Sequence, residues 1–416
     1  MRARWLLAPL VLAALAAGIW LLRPATQRAT PATAGDKLFE QVMAKVRSSA
    51  VEPVEDQELY RRAAAGMIEE LDDPYAVLLL PGEPAPPPED VPVGPGLFLD
   101  RRDGLVVIVA TVPGSPAALA GVRAGDRLLG VDSAIADPAR LDRLASLLEG
   151  KAGSTLELRL RRAGVRGQFT LAVVRGPVPE QRALEFSLLG GGVARIRLAR
   201  FVAGIADSVR RGLDRLRAEG ARSLVLDLRS TVGGELAEGV ALADLFLDQG
   251  KTIALSRGRP AGASASYRDS VPSTFALMPL ALLIDAGTAG AAEVVAGALQ
   301  DHDRAAVLGQ HSFGRGVTRS TFRLGAGASL SLTTALWMTP SGRQIQQPPR
   351  TESGDTLPRP KLKSDAGRVL LGGGGIMPDR RIAESDQTDL ALAEARRVLV
   401  RATSPAEVLA MLGKPE

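Results

Sequence analysis

Residues 285–293 read DAGTAGAAE and lie between an apolar run, PLALLI, and a run with the helical period, VVAGALQ. A strand, a turn of small residues and a helix are the usual mount for a catalytic nucleophile, because such a turn exposes one side chain at the edge of the sheet. After Thr288, however, the turn holds glycine and alanine alone as far as Glu293. The stretch therefore predicts the backbone of a nucleophile-bearing turn in which no nucleophile is evident.

Other residue types that commonly do chemistry are scarce. The chain has no cysteine, which excludes disulfides, thiolate metal sites and a cysteine nucleophile. Its two histidines, His302 and His311, leave little scope for a metal cluster, so we expect neither a metal nor another cofactor. Glycine runs at 190–192 and 372–375 lack the lysine of a phosphate-binding loop and are typical of turns.

The composition is that of a folded protein with more than one domain. The 416 residues are 46% apolar and 23% charged, which is enough for two or three cores. The net charge of +5 comes from arginines scattered among acidic residues, and aromatic residues make up 4% of the chain. Without a basic tract interleaved with aromatics, the sequence does not favour nucleic-acid binding.

The first 23 residues predict a targeting segment. Arg2 and Arg4 precede an uncharged run at 5–22, which as a helix is about as long as the hydrocarbon core of a bilayer. We interpret it as an uncleaved, single-pass anchor in a bacterial inner membrane, with the bulk of the chain in the periplasm, although Arg23 weakens the charge asymmetry. The alternative is a cleaved signal peptide.

The elements that must position the candidate site follow in order along the chain. A spacer at 24–35 leads to a helical segment at 36–88, and short strands and turns follow at 89–178. Strands such as SLVLDLR then alternate with helices at 179–400, before a tail at 401–416. This alternation predicts an α/β core with mostly parallel central strands, within a multidomain α/β (α+β) chain.

The region of short strands resembles a PDZ domain. The match rests on the loop GPGLF and on GSPAALAGVRAGDRLLGVD. A PDZ domain adds an extended peptide to its sheet edge while loop amides hold the terminal carboxylate. The resemblance therefore implies peptide binding by Gly94, Gly96, Leu97 and Phe98, weakened because Pro95 lacks an amide hydrogen. A packing or regulatory role for the module is the alternative.

The chain as a whole resembles the carboxyl-terminal processing peptidases, the tail-specific serine peptidases of family S41. The order of anchor, helical segment, PDZ-like region and α/β core agrees, and matching motifs include AAAGMIEELDDPYAVLL, LVLDLRSTVGGELAEGVALADLFL and LTTALWMTPSGRQIQ. The similarity extends over about residues 36–400. It implies a serine nucleophile that is activated by a lysine, with a glutamine that orients the lysine.

None of these three groups is present at the matching position. Alignment on Gly287 and Glu293 places Gly290 where the family has its serine, and the lysine of the family's FGKG turn is Arg315 here. The glutamine four residues later is Arg319. Glycine offers no nucleophile, and arginine keeps its proton at any accessible pH and cannot serve as the base.

Other parts of such a site are retained. Gly233 and Gly234 match the glycines of the family's NPGG turn, which with the amide of Ala291 implies an oxyanion hole. These donors can hold a peptide carbonyl without cleaving it, or the glycines can serve the turn alone.

Two hydroxyl groups are candidate replacements for the missing serine. Thr288 stands where the family tolerates threonine beside its serine, which favours a structural role. Ser312 precedes the FGRG turn, where small hydroxyl residues are common, and the adjacent His311 can in principle pair with a hydroxyl. Asp285, at the family's asparagine position, can accept a local hydrogen bond.

Three interpretations follow. The first is a non-catalytic, membrane-anchored relative of these peptidases that binds peptides or protein C-termini, or regulates an active paralogue. The second is a serine endopeptidase that cleaves near protein C-termini with a relocated nucleophile. The third is a structural or assembly factor that uses the α/β core to form a homo-oligomer.

Overall fold

The protein is described by a computed structural model that covers residues 34–71, 73–83, 85, 88, 91–269, 272–348, 359–382 and 389–412. The chain separates into two compact units, Met1–Glu70 and Leu71–Glu416. The anchor predicted at 5–22 lies outside the described residues. Within the described part of the chain, no helix is both long and apolar enough to cross a bilayer.

In the first unit the structure describes two helices, α1 (Ala34–Ser49) and α2 (Asp56–Glu69). Arg47 of α1 forms an ion pair with Asp56 at 2.7 Å, and its guanidinium lies 5.5 Å from the centroid of the Tyr60 ring. Of the helical segment predicted at 36–88, the part up to Glu69 is helical as expected, whereas Val77–Leu79 is a strand.

The second unit begins with β1 (Val77–Leu79) and continues into a small β module. The elements of the module are β2 (Leu97–Arg102), β3 (Leu105–Thr111), α3 (Pro116–Leu119), β4 (Arg127–Val131), β5 (Ala134–Ile135), α4 (Leu141–Leu148), β6 (Thr155–Arg161) and β7 (Phe169–Val174). The strands pair in the order β2-β3-β4-β6-β7, and β5 pairs with β4. In β6, Leu156, Leu158 and Leu160 are fully buried between more exposed neighbours, because alternate side chains of a strand point to the same face.

The remainder of the unit alternates strands and helices. Its elements are β8 (Leu184–Leu188), β9 (Val193–Leu198), α5 (Ile205–Ala218), β10 (Ser223–Asp227), α6 (Leu236–Asp244), β11 (Thr252–Gly258), β12 (Ala265–Arg268), β13 (Leu280–Ile284), α7 (Ala291–Asp301), β14 (Ala306–Gly309), β15 (Val317–Arg323), β16 (Ser329–Met338), β17 (Lys361–Lys363), β18 (Val369–Leu371), β19 (Arg380–Arg381), α8 (Leu390–Leu399) and α9 (Pro405–Leu412).

A six-stranded sheet lies at the centre of this core. Its order is β19-β14-β13-β10-β9-β8, and every neighbouring pair is parallel except β8 with β9. The mostly parallel sheet predicted from the sequence is confirmed. Residues of β10 and β13 are buried along their whole length, because helices cover both faces of the sheet.

The two faces carry different helices. Residues of α5, α6 and α7 pack in one apolar cluster with Leu224 and Leu282 of the sheet, whereas α8 and α9 pack in another with Val225 and Leu283. The segment predicted as a C-terminal tail contains α9, and its Val408 is fully buried in the second cluster.

A second sheet stands beside the core. It runs β1-β16-β11-β12, with β15 also paired to β16. Asp73 attaches the start of β1 to this sheet, because its carboxylate accepts the amide of Thr333 at 2.8 Å and the hydroxyl of the same residue at 2.9 Å.

The parallel arrangement decides where the candidate site lies. The strands β9, β10, β13 and β14 end at the same edge of the central sheet, so the segments that follow them meet there. The small-residue turn after β13 is one of these segments, and the FGRG turn after β14 is another.

Candidate functional site

The turn after β13 has the strained backbone of a nucleophile mount. Gly290 immediately precedes α7 with φ of 75° and ψ of −127°, a conformation that residues with a Cβ adopt only with strain. A Cβ built on Gly290 would lie 2.7 Å from the carbonyl oxygen of Gly233. In this conformation, position 290 therefore has neither a side chain nor open space for one.

The segment after β10 closes over the turn. Ala289 donates its amide to the Thr231 carbonyl at 2.9 Å, and Ala291 donates its amide to the Gly233 carbonyl at 3.1 Å. The Thr231 hydroxyl in turn donates to the carbonyl of Leu198, which fixes the segment to β9. Gly233 and Ala291, predicted as parts of an oxyanion hole, are thus brought together but hydrogen-bonded to each other.

The carboxylate of Glu293 is the centre of the hydrogen bonds beneath the turn. It accepts the amides of Gly290, Gly314 and Arg315 at 3.1, 2.7 and 2.8 Å, and the Ser312 hydroxyl at 2.5 Å. Burial raises the pKa of Glu293 to about 7, although these hydrogen bonds act against the shift. This carboxyl group ties the turn to the segment after β14.

Thr288 and Asp285 hold the loops together. The Thr288 hydroxyl donates to the Leu228 carbonyl at 2.9 Å and accepts the amide of Asp285 at 2.9 Å. The carboxylate of Asp285 accepts the amides of Ser230 at 2.8 Å and Gly287 at 3.0 Å. Burial raises the pKa of Asp285. These contacts support the structural role that the sequence favours for Thr288.

Ser312 and His311 have separate partners. The Ser312 hydroxyl donates to Glu293 and accepts the amide of Ile376 at 2.6 Å, and the residue is 4% exposed. His311 places its Nε2 2.8 Å from the Gly374 carbonyl, and burial lowers its pKa to about 4. Ser312 and His311 are thus hydrogen-bonded to different groups.

Arg315, at the position of the family's lysine, forms an ion pair with the PDZ-like module. Its Nη1 lies 3.4 Å from the Asp100 carboxylate, and both side chains are almost fully buried. Close by, Arg102 donates to the Phe313 carbonyl at 2.6 Å and to the Gln347 side chain at 2.9 Å. The Arg102 guanidinium lies 3.8 Å from the centroid of the Phe313 ring, at cation–π distance.

An apolar cluster extends this contact to the turn itself. Phe98 of β2 belongs to one buried group with Val232, Ala289 and Phe313, which come from the three segments at the sheet edge. The PDZ-like module therefore packs directly against the turn that contains position 290.

Arg319, at the position of the family's glutamine, has different surroundings. It is exposed on β15, and its guanidinium lies 5.9 Å from the centroid of the Tyr75 ring. It lines a cavity of about 320 Å³ together with Asp100 and Arg101. Arg315 is buried in the interface, whereas Arg319 belongs to a cavity wall.

The glycine-bearing loop of the module closes on itself. Gly96 and Leu97 donate their amides to the Val93 carbonyl at 3.2 and 3.0 Å, and Pro95 has no amide hydrogen. A Cβ on Gly94 would lie 2.5 Å from the last residue of α4, so the loop is also packed tightly. Two of the amides that the resemblance assigns to a peptide carboxylate, those of Gly96 and Leu97, are therefore bound within the chain.

Several residues of this site are not distinguished by the local sequence. The sequence comparison uses Glu293 only to align the turn and does not predict its hydrogen bonds. A carboxylate in the first turn of a helix that begins after a glycine can, however, indicate helix capping. Asp100 and Arg102 give no local signal, because their partners come from the segments after β14 and β16. Within the described residues, no group of three His, Asp or Glu side chains is placed to hold a metal ion.

Two family models match the chain. The PDZ domain model matches residues 107–162, and the model described as Peptidase family S41 matches residues 192–352. The fold and the site are therefore those of an S41-type core with a PDZ module.

Curated relatives that match about three quarters of the chain define the family more narrowly. A carboxyl-terminal-processing protease from Picosynechococcus is 33% identical over 303 residues, which cover 71% of this chain and 72% of the relative. The corresponding protease of Bartonella bacilliformis is 30% identical over 316 residues, covering 74% and 72%. That of Bacillus subtilis is 27% identical over 322 residues, covering 76% and 68%. The chain belongs to the carboxyl-terminal processing peptidase family.

A solved structure agrees with this assignment. The photosystem II D1 C-terminal processing protease matches 91% of this chain and 92% of its own, with a TM-score of 0.62 and 25% sequence identity. The resemblance drawn from the sequence motifs is thus confirmed at the level of family and fold.

Proposed function

We propose that this protein binds peptides or protein C-termini at an S41-type site and does not cleave them. The observation that carries the proposal is position 290: the residue is glycine, and the Gly233 carbonyl occupies the space in which a side chain would begin. Arg315 cannot take a proton from a nucleophile, because its guanidinium stays charged at accessible pH and pairs with Asp100.

Peptide binding is the part of the family's activity that needs no nucleophile. The relatives are named as proteases, so their sites must accept polypeptide chains before they cut them. In this chain the edge strand β2 and the cavity beside it supply a surface of the same kind. By binding such chains, the protein would capture unstructured C-termini or regulate an active paralogue. The run at 5–22 would tether it to the inner membrane.

A direct test uses the purified full-length chain with an unstructured protein that ends in apolar residues. We expect binding without cleavage, and no labelling by a serine-reactive fluorophosphonate. Cleavage or labelling that is lost in Ser312→Ala or Thr288→Ala would overturn the proposal in favour of a relocated nucleophile. Absence of binding would overturn the proposed peptide binding and would favour the interpretation as a structural or assembly factor.

A further inference from the structure

Three arginines from distant parts of the chain lie beside the segment that follows β14. Arg102 is the last residue of β2, Arg359 lies two residues before β17, and Arg381 is the last residue of β19. Burial and repulsion from these three guanidinium groups lower the pKa of His311, so all three are close enough to act on its ring. We refer to the three residues as the arginine cluster.

Contacts of the backbone fix the positions of two of them. The Nε2 atom of His311 lies 2.8 Å from the Gly374 carbonyl. A Cβ on the preceding Gly373 would lie 3.1 Å from the Cγ atom of Arg359, so this arginine packs against the glycine segment. Arg381 is the register partner of the last residue of β14 and therefore lies near the start of the same segment.

Arg102 reaches the glycine segment from the PDZ-like module. Its guanidinium donates to the Phe313 carbonyl at 2.6 Å and to the Gln347 side chain at 2.9 Å. A Cβ on Gly374 would lie 2.5 Å from the Cα atom of Gln347, so Gln347 packs directly on the glycine segment. The arginine cluster therefore flanks this segment from three elements.

The charge of the arginine cluster is not balanced by ion pairs. Arg102 donates to neutral acceptors, and in the part of the chain that the structure describes none of the three arginines pairs with a carboxylate. The adjacent Arg380, by contrast, pairs with Glu394 at 2.9 Å. Clustered positive charge without acidic partners attracts an anion.

A carboxylate fits the arginine cluster. Arg359 is half-buried and Arg381 is exposed, so a ligand can reach both. The planar guanidinium matches a carboxylate through two parallel, charge-assisted hydrogen bonds. The cluster also adjoins the candidate site, because His311 directly precedes Ser312, whose hydroxyl donates to Glu293. A peptide at this edge of the sheet can therefore place a carboxylate among the arginines.

On the basis of the proposed function, we propose that the arginine cluster binds a carboxylate of the peptide ligand. Arg359 and Arg381 contact the carboxylate, whereas Arg102, two of whose donors are already engaged, contributes positive charge. The carboxylate is the chain terminus or an acidic side chain near it. The cluster then determines specificity for acidic over neutral peptide ends.

The test compares three fluorescent peptides of one apolar sequence by anisotropy with the full-length chain. The first has a free C-terminus, the second is amidated and carries one glutamate near its end, and the third is amidated and has no acidic group. We expect at least one of the first two to bind about tenfold more tightly than the third, as charge-assisted contacts would provide. Comparison of the first two identifies the source of the carboxylate.

Variants then locate the contact. Arg359→Ala is expected to weaken binding of the preferred peptide about tenfold, and Arg381→Ala about threefold because solvent screens an exposed charge. Neither should change binding of the neutral peptide. Arg359→Lys should retain part of the preference because it keeps the charge. Arg401→Ala, at an exposed position after α8, is the matched control and is expected to change nothing.

A reversal of charge separates recognition from a structural role. Arg381→Glu is expected to bind a fourth peptide, amidated and with lysine in place of glutamate, more tightly than the natural chain does. Equal binding of the first three peptides by the natural chain, or a preference that survives both Arg359→Ala and Arg381→Ala, would overturn the inference and leave the proposed function standing. Binding of no peptide would overturn both.

Four acidic residues close in sequence to Arg359 and Arg381 lie outside the described residues, namely Glu352, Asp355, Glu384 and Asp386. A variant in which each is replaced by its amide is therefore measured with the same peptides. We expect it to bind the carboxylate peptide at least as tightly as the natural chain. A loss of the carboxylate preference would show that these acidic residues select the ligand, and would overturn the assignment to the arginine cluster.

Discussion

At the scale of single residues, the site lacks the serine, lysine and glutamine that the resemblance to the family implies. Gly290 keeps a conformation that is strained for other residues, and the turn still leads directly into α7. The carbonyl of Gly233 faces this position and binds the amide of Ala291. The absence of a side chain at 290 is therefore coupled to the closure of the segment above it.

This coupling predicts the effect of adding a Cβ. Gly290→Ala and Gly290→Ser should each lower the free energy of unfolding by about 2 kcal/mol, because both place a Cβ in strained backbone against the Gly233 carbonyl. Chemical denaturation measures the change, and Gly325→Ala, where a Cβ would meet open space, is the control. A stable Gly290→Ser chain would show that the segment moves away freely.

The buried carboxyl group of Glu293 predicts a pH dependence. Its pKa rises from 4.5 to about 7 on folding, so the folded state binds a proton that the unfolded state releases between these values. Its contribution to stability is fully present below about pH 4.5 and is lost as pH rises through 7, on the order of 3 kcal/mol in total.

The comparison with Glu293→Gln isolates this contribution from other titrating groups. The difference in unfolding free energy between the natural chain and the variant should shift in favour of the natural chain as pH falls from 7.5 to 4.5. Denaturation at several pH values measures it. A difference that stays constant or shifts the other way would mean that the four hydrogen bonds keep the carboxyl group ionised.

At the scale of elements, β2 joins the PDZ-like module to the segment that follows β14. Asp100 pairs with Arg315, and Arg102 contacts Phe313 and Gln347. The two side chains are two residues apart on the strand and so lie on the same face. Arg315, which the resemblance aligns with the family's lysine, thus contacts the PDZ-like module.

Breaking this pair should be costly because it leaves one charge buried. Asp100→Asn is expected to lower the unfolding free energy by about 3 kcal/mol, and Arg161→Ala, an exposed position on β6, to change it by less than about 0.5 kcal/mol. Thermal and denaturant unfolding check both values. If the two variants behave alike, the ion pair does not hold the module in place.

At the scale of the whole molecule, the three positions that the family resemblance aligns with catalytic groups lie in three environments. Gly290 lies under the segment after β10, Arg315 lies in the interface with β2, and Arg319 lies in the cavity wall. A catalytic site needs its groups within hydrogen-bond reach of one another. Side-chain replacement alone leaves the Gly233 carbonyl in the space beside position 290 and Asp100 beside position 315.

We therefore expect the triple variant Gly290→Ser, Arg315→Lys, Arg319→Gln to remain inert toward fluorophosphonate and toward unstructured protein. Mass spectrometry after incubation with fluorophosphonate measures labelling of the chain. Gel analysis after incubation with unstructured protein measures cleavage. The double variant without the serine is the control for labelling elsewhere. Labelling of the new serine would show that the closed segment and the module open readily.

The sequence predicts much of the fold and less of the site. Buried strands such as β10 and β13 are visible as continuous apolar runs, because helices cover both faces of a parallel sheet. The turn before α7 is visible from its small residues. The packing of the segment after β10 against this turn is not visible in the sequence. It depends on the backbone carbonyl of Gly233, and every residue type has such a carbonyl.

By itself the sequence determined which chemical groups are absent from positions 290, 315 and 319, and it determined the order of the modules. Residue types and local periodicity are sufficient for both. Only the tertiary structure decided that Arg315 pairs with Asp100, that Glu293 binds four donors, and that the glycine loop is closed. These contacts join segments far apart in the chain, and their geometry exists only when the strands have brought those segments together.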